Sequence, residues 1–257
     1  MNLKHFWIFL ILLSIFNCKQ NKDAYLNKIE GKRIQITDSL EADQAILDYI
    51  KPFHDHINND LDSVLAFAVD TYSPRPENEE LETAIGNFMA DVAYEQANLV
   101  FNKRTGRNID MVLINHGGIR GSISKGNISA RAAYQVMPFD NALVVVDLKG
   151  EQIKELIDYL ANSKRAHPIS RLRLKLDENN TILASSIKGQ PIDFSKNYLV
   201  ATYDYLYNGG NRMNFFQTND SLYVLDYKMR NAMIDYFNKV DTINPIKDGR
   251  FIKISNK

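Results

Sequence analysis

Apolar residues recur at helical spacing in some stretches of this chain and gather into short unbroken runs in others. Ile46, Leu47, Ile50, Ile57, Leu61, Val64 and Leu65 mark one face of a helix over residues 43–65, in which Pro52 predicts a kink or break. Residues 65–70 read as the start of a strand, and the Pro-rich segment 73–78 fits neither element and predicts a loop. A second helix is expected from about residue 82 to 98, with Ile85, Phe88, Met89, Val92 and Ala93 inward and Asn87 and Asp91 one turn apart on its polar side. Residues 109–114 form a continuous apolar run between turn residues, the pattern of a buried strand. Ser129 is placed as the N-cap of a short helix to about 136, and the valine-rich run 142–148 is a strand. An amphipathic helix is expected at 150–160 with Ile153, Leu156, Ile157 and Leu160 inward. Segments 171–176 and 181–187 predict a hairpin around Asp177-Glu178-Asn179-Asn180. A strand at 198–202, a loop at 207–211, a helix at 229–240 and a strand at 251–254 complete the chain. This irregular alternation, with a hairpin inside it, predicts an α+β fold of mixed α/β layers and not a doubly wound sheet.

The N-terminus has a different pattern. Lys4 and His5 precede an apolar run at 6–16 broken only by Ser14. A bilayer span needs about 20 residues, so the run is too short to cross and reads as the core of a secretory signal. Cys18, the only cysteine, lies where such a leader is cut. Two readings fit: a bacterial lipoprotein lipidated on Cys18, or an ordinary signal peptide with an incidental cysteine. The first is preferred, although Ile15-Phe16-Asn17 departs from the usual small-residue pattern before the cysteine. The expected organisation is a leader at 1–18, a polar tether and lead-in at 19–44 and one domain at 45–257. The expected location is the periplasm or cell envelope, with the membrane contacted only through the lipid.

Composition narrows the partners. The 257 residues carry 31 Lys+Arg against 31 Asp+Glu, a balance without the cationic footprint that nucleic acid requires. An apolar content of 45% at this length is enough for one good core. The candidate chemistry lies between Asn115 and Asn141. Asn115-His116-Gly117-Gly118-Ile119-Arg120 sets an arginine on a glycine-rich turn after a buried strand, and Pro138-Phe139-Asp140-Asn141 follows the short helix. Glycines let a ligand approach the backbone, a guanidinium supplies a rigid fork of donors, and an aromatic face can stack on a base. Taken alone, Phe139 also fits plain core, Arg120 a structural ion pair, and Tyr205 packing against a sheet.

Three segments together resemble the C-terminal domain of the 5'-nucleotidase family. Gly86-Asn87-Phe88-Met89-Ala90-Asp91 is similar to that domain's Leu-Gly-Asn-…-Ala-Asp helix. The stretch from Asn115 to Asn141 is similar to its Asn-x-Gly-Gly-Ile-Arg and Pro-Phe-x-Asn motifs, and Gly209-Gly210-Asn211 to its Gly-Gly-Asp loop. The resemblance covers residues 45–254 and implies a nucleotide-binding domain. By it, Asn115 and Arg120 would hydrogen-bond the nucleotide, Arg120 toward the phosphate, and Gly117 would admit the ligand. Phe139 and Tyr205 would sandwich the base, Asn141 would read its edge, and Asn211 would meet the ribose hydroxyls. The chain departs from the family pattern in several places. Asn211 replaces an acidic residue, Arg212-Met213 follows where Gly-Tyr is commoner, and Glu79, Glu80 and Leu81 stand where the family has an arginine.

The family's hydrolysis uses two metal ions held by a separate metallophosphatase domain, whose histidine and aspartate motifs are not found in this sequence. His54-Asp55-His56 does not replace them, because side chains two apart on a helix point to different sides. No catalytic residue and no cofactor is therefore assigned here, and the divalent metals are expected on a partner chain. The expected function is the nucleotide- or nucleoside-binding half of a split 5'-nucleotidase working with a metallophosphatase protein. The alternatives are a non-catalytic nucleoside- or nucleotide-binding envelope lipoprotein and a scaffold that has lost ligand binding.

Overall fold

The computed structural model describes residue 26, residues 28–78 and residues 80–254. Cys18, the apolar leader around it, most of the tether and Glu79 lie outside the described residues. The chain divides into two units, Met1–Tyr49 and Ile50–Lys257. In the first, the described residues before Asp43 are irregular apart from a turn in which the Leu40 N–H donates to the Thr37 carbonyl at 3.0 Å. Asp43 then starts helix α1 (Gln44–Asp62), its carboxylate accepting the Ala45 N–H at 2.9 Å and the Ile46 N–H at 3.3 Å. Pro52 lies inside α1, and the break expected there does not occur. Pairs one turn apart, Gln44 to Asp48 at 2.8 Å and Lys51 to Asp55 at 2.6 Å, brace the helix on both sides of the missing N–H. His54 and His56 are exposed on α1 and turn to different neighbours, Asn58 and Asp60.

The second unit continues with β1 (Val64–Ala68), α2 (Ala84–Thr105), β2 (Met111–Leu113), β3 (Gly126–Ser129), α3 (Ala130–Val136), β4 (Ala142–Lys149) and α4 (Gly150–Ser163). Then come β5 (Ile169–Ser170), β6 (Leu172–Leu176), β7 (Ile182–Ile187), β8 (Gln190–Pro191), β9 (Asn197–Tyr203) and α5 (Asp204–Tyr207). The chain closes with β10 (Ser221–Lys228), α6 (Met229–Phe237), β11 (Thr242–Ile243) and β12 (Phe251–Lys253). The main sheet runs β10-β4-β9-β2-β5, with β2 parallel to β9 and the other pairs antiparallel. Two smaller sheets run β11-β1-β3 and β12-β6-β7-β8. This is the mixed α/β architecture the sequence pattern predicts.

Cover from both sides explains the sequence of the main sheet. In β4 and β9 consecutive residues are buried, not alternate ones, so both faces are packed and both strands read as near-continuous apolar runs. Helices α2 and α4 both pack on this sheet, and α6 packs on α2. Phe88 of α2 stacks on Phe237 of α6 with ring centroids 5.8 Å apart. The Thr83 hydroxyl caps α2 by accepting the Gly86 N–H at 3.0 Å, and Gly106, at φ 71°, closes it in the left-handed conformation. That end lies beyond the expected Asn98, because Phe101 is fully buried and carries the apolar face on for two more turns. Ser129 occupies the N-cap position of α3 without capping it through its side chain. It is also the last residue of β3, paired with Val64 of β1, and that pairing fixes its backbone.

Asn87 and Asp91 brace the fold. The Asn87 amide donates to Glu82 at 3.1 Å and to the Ile246 carbonyl at 3.0 Å. Asp91 accepts a bidentate pair from Arg250 at 2.8 and 2.9 Å and a hydrogen bond from Ser170 at 2.6 Å. Together they tie the C-terminal segment to α2 and β5.

Candidate functional site

The site is assembled from three chain segments that leave the main sheet near one another. After β2 the chain makes a tight turn at His116–Gly118, with the Gly118 N–H donating to the Asn115 carbonyl and the Ile119 N–H to the His116 carbonyl, both at 3.1 Å. The Arg120 N–H then donates to the Val136 carbonyl at 2.8 Å, which docks this loop against the end of α3. The fit is close: a Cβ on Gly121 would sit 2.8 Å from the Gln135 carbonyl oxygen. Leaving α3, the chain presents Phe139 and Asn141. The Asn141 carbonyl is fixed by the Met229 N–H at 3.0 Å, and Asp140 is held by Lys228 at 2.8 Å and Arg230 at 2.7 Å. Hydrogen bonds from these two cations keep the Asp140 carboxyl below the usual carboxylate range.

The third segment follows β9. Asp204 accepts the Tyr205 N–H at 2.7 Å and the Ala142 N–H at 3.1 Å, tying the start of α5 to the start of β4. Behind Tyr205 the chain doubles back through Gly209, at φ 90°, to Gly210. Asn211 and Arg212 follow in left-handed conformations at φ 56° and 61°, uncommon for side-chain-bearing residues. Two long-range bonds hold this turn. The Asn115 amide donates to the Asn211 side-chain oxygen at 3.2 Å, and the Tyr159 hydroxyl of α4 donates to the Asn211 carbonyl at 3.0 Å.

Between these segments lies a cleft of about 210 Å³ lined by Asn115, Gly117, Gly118, Phe139, Asn141 and Tyr205. Five of the residues singled out in the sequence line it. The sixth, Asn211, joins through its bond to Asn115, and the Arg120 guanidinium carbon stands 5.9 Å from the centroid of the Phe139 ring. Phe139 is 43% exposed and Tyr205 48%, so neither is a core residue. Arg120 forms no ion pair among the described residues. Leu81 is buried, and Glu80 is paired with Lys247, so neither reaches the cleft. Larger, more polar depressions lie elsewhere; one of about 460 Å³, lined by residues such as Glu80 and Lys253, has no arrangement of aromatic faces and amides like that of the cleft.

Two supporting residues were not legible from the sequence. His167 is buried, and its Nδ1 accepts the His116 N–H at 3.3 Å. That bond puts the proton of the neutral ring on Nε2. Burial, with His116 and Arg165 adding to it, pushes the His167 pKa down to about 4, so the ring is neutral near pH 7. Burial likewise lowers His116, followed by the charge of Arg165. Tyr159 packs on His167 with ring centroids 5.7 Å apart. Behind the cleft, then, a neutral histidine holds one loop and a tyrosine the other. Among the described residues no group of three or more His, Cys, Asp or Glu is placed to hold a metal ion.

A sheet layered with helices carries a glycine turn, exposed aromatics and amides around one cleft, in a domain of mixed α/β class. The chain belongs to the 5'-nucleotidase C-terminal domain family, which it matches over residues 63–218. Among curated relatives it is 26% identical to Protein UshA of Yersinia enterocolitica over 200 residues, covering 74% of this chain and 34% of that protein. It is 24% identical to an apyrase of Tabanus yao over 186 residues, covering 65% of this chain and 34% of that protein. Among solved structures, a 5'-nucleotidase precursor from Thermus thermophilus superposes with a TM-score of 0.66 at 25% identity, covering 83% of this chain and 43% of that one. The NAD nucleotidase of Haemophilus influenzae, at 16% identity and a TM-score of 0.64, shares the fold over 84% of this chain and 42% of its own. The chain thus spans about a third of the length of these curated relatives. No helix among the described residues is long and apolar enough to cross a membrane.

Proposed function

We propose that this chain binds the nucleotide in a 5'-nucleotidase-type phosphate monoester hydrolysis, with the metals supplied by a separate metallophosphatase chain. The observation that carries the reading is the shared cleft of Asn115, Gly117, Phe139, Asn141 and Tyr205, with Arg120 at its rim. In this reading the base lies between Phe139 and Tyr205, where stacking contributes on the order of 1–3 kcal/mol per base and tolerates different bases. Asn141 meets the base edge as donor and acceptor, and Asn115 and Asn211 meet the sugar. Arg120, with no ion-pair partner among the described residues, meets the phosphate. The His167 and Tyr159 contacts support this assignment, because they preorganise two of the three loops before any ligand arrives.

Two metal ions in the partner would polarise the phosphate and the attacking water. The location that accompanies this reading is the cell envelope, with Cys18 as lipid anchor; one curated relative is named a cell wall protein of Listeria monocytogenes. The test is phosphate release from AMP with manganese or zinc, by the chain alone and with a co-purified metallophosphatase chain. Release only by the pair supports the split arrangement. Robust metal-dependent release by the chain alone refutes it.

A further inference from the structure

We infer that the chain carries a second small-ligand site, at the opposite end of β2 from the cleft, and that it takes a zwitterion of the α-amino acid class, with Arg171 meeting the carboxylate and Glu95 the ammonium group. A cavity of about 380 Å³ is lined there by residues of α2, β5, β6 and the C-terminal segment. The strands around it fix its place. Ser170 pairs with Val112 of β2, and Lys188 donates to Asp110, just before that strand, at 2.7 Å. The cleft residues Asn115, Gly117 and Gly118 instead follow the end of β2, and the two sites share no lining residue.

The charged side chains of this cavity are paired, with two exceptions. Arg250 uses all five of its donors: two meet Asp91 at 2.8 and 2.9 Å, two meet Asp248 at 2.9 and 3.0 Å, and one meets the Ile169 carbonyl at 2.9 Å. Arg173 is paired with Asp248 and Lys188 with Asp110. Arg171 and Glu95 are left, with no side-chain hydrogen bond or ion pair among the described residues, to each other or to any neighbour. Geometry holds them on one side of the cavity. The Arg171 guanidinium carbon stands 4.5 Å from the centroid of the Tyr94 ring, and Glu95 is the next residue along α2. The Arg171 backbone is left-handed at φ 63°, uncommon for a residue with a side chain, and its carbonyl is fixed by the Lys188 N–H at 2.8 Å. Strain of this kind gathers at ligand sites. A guanidinium over an aromatic face keeps its N–H edge free, and that edge matches a carboxylate through two parallel bonds. A simple anion at Arg171 would share the cavity with the carboxylates of Glu95, Asp91 and Asp248, and a simple cation at Glu95 with Arg171, Arg173 and Lys188. A molecule carrying both charges a few bonds apart satisfies both residues and brings no net charge. The volume leaves room for a side chain beyond the two charged groups.

The experiment is a nuclear magnetic resonance titration of the isotope-labelled full chain with L-alanine, acetate and methylammonium, followed through the backbone amide signals of Arg171 and Gly189. It is repeated on Arg171→Gln and on Glu95→Gln; both residues are exposed, so both variants retain the fold. L-Alanine is expected to give saturable shifts and to bind about tenfold more tightly than acetate or methylammonium, the scale of one added charge-assisted contact. Each variant is expected to lose that tenfold advantage. No saturable shift with L-alanine overturns the site. Acetate or methylammonium bound as tightly as L-alanine overturns the zwitterion class. L-Alanine affinity unchanged in either variant overturns the role given to that residue.

Discussion

Gly210→Ala tests whether the wall of the cleft depends on the turn behind it. A Cβ at residue 210 would lie 2.5 Å from the Tyr205 carbonyl oxygen, 2.5 Å from Cε1 of the Tyr205 ring and 2.6 Å from its Cζ. The ring can swing away, but the carbonyl is backbone, and Asp204 holds the neighbouring N–H groups of Tyr205 and Ala142 at 2.7 and 3.1 Å. The turn from Tyr205 to Gly210 must therefore open. Overpacking of this kind destabilises by about 1–3 kcal/mol. Displacing the ring from the base removes a further 1–3 kcal/mol or so of stacking, which is roughly a 5- to 150-fold loss of affinity. Denaturant unfolding and calorimetric titration with AMP measure the two effects separately. Tyr205→Ala is the comparison: it removes the stacking ring without the clash, so affinity falls while stability changes by less than about 0.5 kcal/mol. A Gly210→Ala protein that matches the unmodified chain in both stability and affinity refutes the argument. So does a Tyr205→Ala protein less stable than Gly210→Ala.

The remaining predictions concern the supports of the cleft and the fold. His167 is held near pKa 4 by burial, against about 6.5 when unfolded, so the unfolded chain takes up the proton first as pH falls. Its contribution is complete above pH 6.5 and is lost as pH drops toward 4, up to about 3 kcal/mol in all; unfolding curves at pH 7 and 5 should show that slope, and His167→Gln should flatten it. Arg120→Gln should narrow the gap between AMP and adenosine affinity by about 1.5–3 kcal/mol, read by calorimetry, since only the phosphate uses that charge. Asp91→Ala leaves Arg250 largely buried with only Asp248 as ion partner and should destabilise the fold by about 1–3 kcal/mol, a value discounted because Asp91 is itself half-exposed; urea unfolding measures it.

The parts of the fold and site that were legible are those whose cause is local. The inward faces of α2 and α4 show helical spacing, and β4 and β9 show the unbroken apolar runs of a sheet covered on both sides. Asn115, Phe139 and Asn141 stand in short motifs at turns, where glycine and proline punctuate the chain. What was missed depends on distant contacts. Tyr159 looks like a polar-side residue of α4 until Asn211, 52 residues on, meets its hydroxyl. The hydrogen bond that the His167 ring accepts comes from the His116 N–H, 51 residues away. Strand β10 escaped notice because a bulge at Asp226, with φ 53°, disrupts its alternation and leaves Leu222 and Val224 on an exposed edge. Pro52 misled in the other direction: its local preference against a helix interior was overridden in α1.

The central claim is that the cleft between Phe139 and Tyr205 holds a nucleotide. Calorimetric titration of AMP into the full chain and into Phe139→Ala tests it most directly. Phe139 is 43% exposed, so the substitution removes a stacking face and leaves the core intact. The account predicts saturable binding by the unmodified chain and a loss of about 1–3 kcal/mol of affinity in the variant at unchanged stability. AMP binding of equal strength in both proteins, or no binding to either, contradicts it.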